Sequence, residues 1–383
     1  MSKLRIIARV GRYFGADETF SGPGCVSVLA GLPANRVTII VSGSFWLGIE
    51  NRARIEKALR RFSVQTLISP SGEPLFSEVA KLSLEISAHK PEYIIAIGGG
   101  STIDYSKLSW LLYEHPDLEP QNLSRPFSAP KLRGKCKFIA IPTTAGTGSE
   151  ASSAAVYQLD SQSPKSFVVT HDFLPDIAIL DPNFTSNCPK SVKVSAGLDA
   201  LSHAVEGYVS LFKNEQTGDL AEMAIGTLLK SLPRYVSTDD VGVSGDILRA
   251  SHWAGIVQNI SIPGIGHAFA HQMSKVGVGH GAACGFFLPM AMRINYEKES
   301  VRVAYDKLAK NLGFDSALGL IASIENLNVL LDNSVSQYKL SEVLGCEGFG
   351  KAVMDDPTGR ANPISLSSEL IASAGILAQE YCV

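Results

Sequence analysis

The chain has 383 residues, of which 45% carry apolar side chains and 19% are charged. This length predicts about two domains, each able to bury a core of its own. The 34 Lys and Arg residues nearly balance the 37 Asp and Glu residues, so the net charge is only −3. Such a charge gives no general attraction to a phosphate backbone or an anionic lipid surface. The composition therefore excludes a disordered chain, argues against nucleic acid and membrane partners, and favours a small-molecule partner.

The cysteines and the N-terminal residues bear on the compartment. The six cysteines are scattered without a CxxC pair, which favours reduced thiols over a zinc ribbon or a disulfide framework. Basic residues interrupt residues 1–12 too often for a signal peptide, and no apolar run is long enough to span a bilayer. These features predict a cytoplasmic protein.

The first half of the chain alternates β-branched runs with helical patterns. Alternation of this kind is typical of an α/β domain with a mostly parallel sheet, which we place at residues 1–186. The runs predict buried strands at Val37–Val41, Tyr93–Ile97, Phe138–Ile141 and Ile177–Leu180, and apolar spacing predicts helices at Arg52–Arg61, Leu75–Ser87 and Ile103–Tyr113.

The second half, residues 187–383, has few β-rich runs. Apolar residues recur there at spacings of three and four, which predicts an all-helical domain. The fold class is therefore α/β followed by all-α. The predicted helices are Lys193–Ser210, Gly218–Leu232, Val243–Gln258, Ser300–Leu312, Ala317–Leu327 and Leu366–Cys382.

A glycine-rich turn follows the second predicted strand. It comprises Gly98, Gly99, Gly100 and Ser101, and it leads directly into a predicted helix. Backbone amides at such a turn, together with the helix N-terminus, favour an anion such as a pyrophosphate. The spacing is not the GxGxxG fingerprint of dinucleotide-binding folds. A tight turn without a ligand therefore remains the alternative interpretation.

A second polar loop, PTTAGTGSE at Pro142–Glu150, follows the next predicted strand. Ligands of open α/β sheets bind beyond the carboxyl ends of the strands, where both loops would lie. Its hydroxyls suit hydrogen bonds to ribose, phosphate or carboxamide groups, although a polar loop leading into a helix remains the simpler alternative. The candidate residues are Thr143, Thr144, Thr147 and Ser149.

Histidine spacing in the second half indicates a metal site. Asp199 and His203 are four residues apart in a helical pattern, His267 and His271 repeat that spacing, and His280 follows. Three histidines and Asp199 would provide the donor set for Fe²⁺ or Zn²⁺ and leave a position open for an alcohol or carbonyl oxygen. Ordinary core or surface histidines are the alternative. Together with the two loops, this pattern predicts hydride transfer across a cleft between the domains.

Taken together, these motifs resemble the iron-containing (group III) alcohol dehydrogenases. The resemblance implies an N-terminal dinucleotide-binding domain, a C-terminal helical metal-binding domain, and a homodimer or larger assembly. The matching segments run in family order: GGGSTIDYSK (Gly98–Lys107), PTTAGTGSE (Pro142–Glu150), ILDP (Ile179–Pro182), AGLDALSHAVEGYVS (Ala196–Ser210), and HAFAHQM followed by GHG (His267–Gly281).

The resemblance also implies individual roles. His271 matches the family histidine that lines the nicotinamide and substrate pocket and helps to relay protons. The metal, Fe²⁺ or alternatively Zn²⁺, would be held by Asp199, His203, His267 and His280. The cofactor would be held by Gly99, Gly100, Ser101 and Asp104 at its pyrophosphate, by Thr143, Thr144, Thr147 and Ser149 at phosphate and nicotinamide, and by Lys165 downstream.

Some residues depart from the family pattern. NAD-preferring members end the first strand with an acidic residue, whereas this chain has Ser42 and Gly43 there. A carboxylate would repel a 2′-phosphate, so we expect NAD(P)H use with a preference for NADPH. Glu73 replaces an asparagine near the adenine side. The segment between His267 and His280 is one residue shorter than is common, and Gly279 replaces a proline.

Three alternatives to a general alcohol dehydrogenase or aldehyde reductase stay open at this stage. A reductase specialised for an anionic phosphonoaldehyde is suggested by Ser42–Phe45 and Asn259–Ser261. A sugar-phosphate cyclase-like lyase would share the fold, but it usually has one Glu and two His ligands. A non-catalytic nucleotide-binding homologue would bind the cofactor without turnover.

Overall fold

The computed structural model describes residues 15–46, 48–123, 125–160, 163 and 165–382. The chain separates into two compact units, with the division between Cys188 and Pro189. The first unit contains the strands and the second is helical, so the predicted fold class is confirmed.

Parallel strands form the framework of the first unit. Its strands are β1 (Glu18–Ser21), β2 (Arg36–Ser42), β3 (Ser63–Ser69), β4 (Tyr93–Gly98), β5 (Lys137–Pro142), β6 (Ala154–Tyr157), β7 (Ser166–Val169) and β8 (Ile177–Leu180). Six of them make one sheet in the order β1-β8-β5-β4-β2-β3, with every pairing parallel. The antiparallel pair β6–β7 stands apart from this sheet.

Two apolar clusters cover the two faces of the large sheet. Alternate residues of one strand enter different clusters, as with Ile94 and Ile95 of β4. Burial on both faces explains why the central strands are continuous apolar runs. The helices of this unit are α1 (Gly43–Trp46), α2 (Ile49–Leu59), α3 (Phe76–His89) and α4 (Gly100–Glu114).

Sequence patterns had predicted β2, β4, β5 and β8, and these strands are confirmed. They did not predict β1, β3, β6 or β7. Strand β3 lies at the edge of the sheet, where several of its side chains are exposed and polar residues interrupt its apolar pattern.

The second unit is built from helices connected by turns. They are α5 (Lys190–Val209), α6 (Glu215–Ser237), α7 (Val241–Ser261), α8 (Ile265–Gln272), α9 (His280–Tyr296), α10 (Glu299–Asn311), α11 (Ala317–Leu330), α12 (Gln337–Leu344), α13 (Phe349–Asp355) and α14 (Ser368–Gln379). Helix α5 packs against α6, α7 and α9. In the part of the chain that the structure describes, no helix combines the length and apolarity that a membrane crossing needs.

The six predicted helices of this unit are present, but four others were missed. Helix α8 has only eight residues. Helix α9 contains Pro289 and is buried along most of its length, so it lacks a polar face that would reveal a helical period. The short helices α12 and α13 were also missed. Two of these four, α8 and α9, carry candidate metal ligands.

Candidate functional site

The glycine-rich turn joins the end of β4 to the start of α4. The first hydrogen bond of this helix runs from the Ile103 amide to the Gly99 carbonyl, at 3.1 Å. The amides of Gly100 and Ser101 precede that bond and therefore have no partner within the helix. Amides in this position suit an anionic group. The structure thus supplies the local geometry for the predicted pyrophosphate site.

The second polar loop lies beside the first because β4 and β5 are neighbours. The Thr143 amide donates to the Gly98 carbonyl at 2.9 Å. A Cβ atom on Gly100 would lie 2.8 Å from the Thr147 side chain, and one on Gly99 would lie 3.3 Å from Thr144 Oγ1. The packing of one loop on the other therefore accounts for the absence of side chains at Gly99 and Gly100.

Asp104 is buried beneath these loops and braces the second one. Its Oδ1 accepts a hydrogen bond from Ser149 Oγ at 2.9 Å, and its Oδ2 accepts one from the Val156 amide at 3.0 Å. Burial raises the pKa of Asp104 to about 6, although the nearby Lys107 opposes this shift. Both carboxylate oxygens are engaged within the protein. The predicted contact of Asp104 with the cofactor thus stays a prediction.

Lys107 is a functional residue that the sequence reasoning missed. Its ammonium group donates to the carbonyls of Ser149, Ser152 and Ala154 at 2.7, 2.8 and 3.0 Å. The side chain is fully buried, and burial lowers its pKa to about 8. The available signal was its position one turn after Asp104 on α4, which places both charges on one helix face.

Strand β2 pairs with β4 so that Val41 lies opposite Ile97, the residue before Gly98. Ser42 and Gly43 therefore lie at the same edge of the sheet as the glycine-rich turn, and Lys165 directly precedes β7. Ser42 ends β2 opposite Ser69 of β3. A Cβ atom on Gly43 would meet only Ile68 Cγ2, at an ordinary contact distance of 3.5 Å, so this position accepts a Cβ atom. The Lys165 ammonium forms an ion pair with the Glu73 carboxylate. Glu73, one of the departures from the family pattern, therefore offsets the charge of Lys165.

The four predicted metal ligands converge in the second unit. Asp199 and His203 come from α5, His267 from α8 and His280 from α9. Asp199 Oδ1 lies 3.7 Å from Nε2 of His203, 3.7 Å from Nε2 of His267 and 3.5 Å from Nε2 of His280. One carboxylate oxygen is thus surrounded by three imidazole nitrogens.

A glycine makes this convergence sterically feasible. A Cβ atom on Gly281 would lie 2.2 Å from the Ser195 carbonyl oxygen and 2.9 Å from Asp199 Cβ. Such contacts are forbidden, so α9 can approach α5 this closely only because residue 281 has no side chain. The close approach places His280 beside Asp199.

The donor atoms of this cluster fit a bound cation. Asp199 Oδ1 and His267 Nε2 are buried, and neither has a hydrogen-bond partner. Their separation of 3.7 Å is too long for a hydrogen bond, and buried polar atoms are normally paired. Burial also lowers the pKa of His203 to about 4, so its ring is neutral near pH 7. A carboxylate and neutral imidazoles are suitable ligands for Fe²⁺ or Zn²⁺.

Cys284 also lies close to this cluster, and the sequence reasoning did not single it out. Its Sγ is within 4.8 Å of donor atoms of Asp199, His267 and His280. Sγ is 3.8 Å from Nδ1 and 3.6 Å from Nε2 of the His280 ring. These distances are compatible with a shared metal ion, so Cys284 is a further candidate donor beside the four predicted ligands.

Two further carboxylates contact histidines of α8. Glu206 Oε2 is 2.5 Å from His267 Nδ1, and Asp356 Oδ2 is 2.8 Å from His271 Nδ1. The His271 ring also stacks on the His280 ring, with centroids 5.2 Å apart. Glu206 follows His203 at helical spacing on α5, so the sequence alone indicates that the two side chains share one helix face. Asp356 is 85 residues from His271, so local spacing could not reveal it.

Comparison with known proteins adds family evidence to this geometry. Residues 16–182 match the model for iron-containing alcohol dehydrogenase, and residues 193–376 match the C-terminal model of the same family. An alcohol dehydrogenase from Thermococcus barophilus is 32% identical over 80% of this chain and 82% of its own length. An NADPH-dependent butanol dehydrogenase from Clostridium saccharobutylicum is 27% identical over 85% of this chain and 86% of its own length.

Solved structures show the same similarity. The iron-containing alcohol dehydrogenase from Thermococcus thioreducens superposes with a TM-score of 0.89 at 28% identity. The superposition covers 96% of this chain and 99% of that one.

Proposed function

Because the chain belongs to the iron-containing alcohol dehydrogenase family, we propose residue roles for its NAD(P)-linked hydride transfer between nicotinamide and a small alcohol or aldehyde. The observation that carries the proposal is the buried, unpaired Asp199 Oδ1 facing three imidazole nitrogens. One metal ion would be held there by Asp199, His203, His267 and His280. We assign Fe²⁺, with Zn²⁺ as the alternative that the same donors accept.

His271 would handle the proton that accompanies hydride transfer. A metal bound to the four ligands would act as a Lewis acid towards the oxygen of the substrate. His271 Nδ1 is engaged by Asp356, which leaves Nε2 as the atom that exchanges a proton. In aldehyde reduction, His271 would supply the proton taken up by the carbonyl oxygen, either directly or through water.

The cofactor would be held by the first unit. The amides at Gly98–Ser101 would bind its pyrophosphate, with Asp104 and Ser149 shaping the adjoining loop. Hydroxyls of Thr143, Thr144 and Thr147, together with Lys165, would provide further contacts. NADPH is the favoured cofactor because no carboxylate follows β2 at Ser42 and Gly43. The name of the Clostridium saccharobutylicum relative is consistent with this preference.

We further propose a cytoplasmic homodimer or larger homo-oligomer. The scattered cysteines and the small charged fraction of 19% support this assignment. Light scattering on the purified protein would measure its mass. A monomer at micromolar concentration would contradict the proposed assembly.

The test of the proposed function combines metal analysis with an aldehyde panel. The purified protein is assayed with NADH and with NADPH, before and after chelation, and then after return of Fe²⁺ or Zn²⁺. We expect one metal per chain and aldehyde reduction that chelation removes and metal restores. A panel of neutral and anionic aldehydes separates a general reductase from one confined to phosphonoaldehydes. Full turnover by a metal-free protein would contradict the proposal.

A further inference from the structure

We propose that Glu206 is a positioning residue for metal binding, because it fixes which nitrogen of the His267 ring carries the proton. The inference rests on the proposed function, since it assigns His267 as a metal ligand. Glu206 is not one of the four proposed metal ligands, and its own contacts are with other residues of the protein.

Glu206 is buried between α5 and the N-terminus of α8, with 3% of its surface exposed. Its Oε1 accepts a hydrogen bond from the Gly266 amide at 2.7 Å. Its Oε2 is 3.3 Å from the His267 amide and 2.5 Å from His267 Nδ1. One carboxylate thus caps the start of α8 and holds the ring of its first histidine.

The glycines around this carboxylate allow its close approach. A Cβ atom on Gly264 would lie 3.0 Å from Glu206 Oε1 and 2.7 Å from Asn362 Oδ1. A Cβ atom on Gly266 would also lie 3.0 Å from Glu206 Oε1. Side chains at these positions would push the carboxylate away from the helix. The surrounding backbone is therefore shaped around Glu206.

The two nitrogens of the His267 ring face different carboxylates. Nδ1 is 2.5 Å from Glu206, whereas Nε2 is 3.7 Å from Asp199. An imidazole that binds a metal is neutral and carries one proton, and an ionised carboxylate can only accept a hydrogen bond. The shorter contact therefore keeps the proton on Nδ1, and Nε2 presents its lone pair towards Asp199 and the other ligands.

Loss of the Glu206 charge would undo this arrangement. In a Glu206→Gln variant, the amide has one oxygen and one NH₂ group in place of two acceptor oxygens. If the NH₂ group faces His267, the ring must accept at Nδ1 and carry its proton on Nε2. Nε2 would then carry a proton that faces Asp199, and its lone pair would no longer be available to a metal ion. Because the side-chain size is nearly unchanged, packing at the start of α8 is retained.

Asp356 provides a matched control, because its partner His271 lies one helical turn after His267 on α8. Asp356 contacts His271 Nδ1 at 2.8 Å, so Asp356→Asn makes the same chemical change beside a histidine outside the proposed ligand set. The two variants therefore separate an effect on the ligand from a general disturbance of α8.

The experiment measures Zn²⁺ and Co²⁺ dissociation constants for the full-length metal-free protein and both variants, by competition with a chelator. Nitrogen-15 NMR of the histidine rings reports the tautomer of His267 in the same samples. We expect Glu206→Gln to weaken metal binding by about 10–100-fold and to move the proton to Nε2. Asp356→Asn should retain the affinity of the unchanged chain.

Equal affinity in Glu206→Gln and the unchanged chain would overturn the inference, as would an equal loss in both variants. If Glu206→Gln fails to fold, the unchanged protein still decides the matter, because a His267 ring whose only proton is on Nε2 would contradict it. If the unchanged chain shows the Nδ1 proton but binds no metal, the proposed function fails, and only the effect of Glu206 on the His267 tautomer stands.

Discussion

The cofactor loops of the first unit and the histidine cluster of the second differ in how their buried polar atoms are paired. Beneath the loops, Lys107 and Asp104 direct their charged atoms at carbonyl, hydroxyl and amide partners. In the cluster, Asp199 Oδ1 and His267 Nε2 are buried without a hydrogen bond. The charged side chains beneath the loops are thus paired within the protein, whereas the cluster would be completed by a cation.

This difference has an energetic consequence. An unsatisfied buried polar atom costs about 1–3 kcal/mol, and a cation that binds only the folded state offsets such a cost. The side chains of Lys107 and Asp104 need no such compensation, so the second loop should keep its shape without a ligand. We therefore expect the second unit to be coupled to metal and the first unit to depend on its own hydrogen bonds.

Removing a ligand should have the largest effect. His267→Ala deletes a donor that faces Asp199 and also leaves Glu206 without its ring partner. We expect the variant to lose both metal and aldehyde reduction. Metal content after gel filtration measures the first, and cofactor oxidation measures the second. His115→Ala, which removes a histidine of the first unit, should retain both; one metal per chain in His267→Ala would contradict the assignment.

Breaking the support of the loops should come next. Lys107→Met leaves the carbonyls of Ser149, Ser152 and Ala154 without their donor. We expect a loss of about 1–3 kcal/mol in the free energy of unfolding, because buried carbonyls are left without a donor, with weaker cofactor binding and unchanged metal content. Denaturant titration and cofactor fluorescence would check this. Lys81→Met, at an exposed position of α3, is the control and should change the free energy of unfolding little. If Lys107→Met has an effect as small as that of Lys81→Met, Lys107 does not brace the loop.

Adding metal should affect the two regions unequally. At 100 times its dissociation constant, a ligand of the folded state stabilises by about 2.7 kcal/mol. We expect slower amide hydrogen exchange in α5, α8 and α9 after metal is added to the metal-free protein. The loop at Gly98–Ser101 should change little. Equal protection of the loop and the helices would remove the distinction between the regions.

The smallest effect concerns cofactor preference. A Cβ atom at position 43 meets only an ordinary contact, and Gly43→Asp would introduce a carboxylate directly after β2. Repulsion of the 2′-phosphate should lower kcat/KM for NADPH relative to NADH by about tenfold, equivalent to ~1.4 kcal/mol. Gly43→Asn has nearly the same size without the charge and should leave the ratio unchanged. A marked NADH preference in the unchanged chain would defeat the NADPH assignment.

Local sequence patterns predicted the elements whose signal is local. The central strands are buried on both faces and therefore appear as continuous β-branched runs. Strand β3 was missed because it is an exposed edge strand, and α9 because its buried surface hides the helical period. The fold class followed from the central strands and the long amphipathic helices, which dominate the two units.

The residues of the candidate site also divide into those that local spacing reveals and those that it does not. The spacing of Asp199 and His203 within one helix indicated that they share a face, and the distance between them agrees with this. Asp356 contacts His271 only through tertiary packing, so the spacing of residues in the sequence could not reveal this pair. Lys107 was overlooked because lysine is seldom fully buried unless paired, and its carbonyl partners come from a distant loop.

X-ray absorption spectroscopy of the protein loaded with one equivalent of Zn²⁺ tests the central claim most directly. Asp199, His203, His267 and His280 predict a first shell of nitrogen and oxygen at about 2.0–2.2 Å, with the multiple-scattering signature of three imidazoles. A sulfur at about 2.3 Å would show that Cys284 replaces one of these ligands, and a shell without imidazole would contradict the metal site itself.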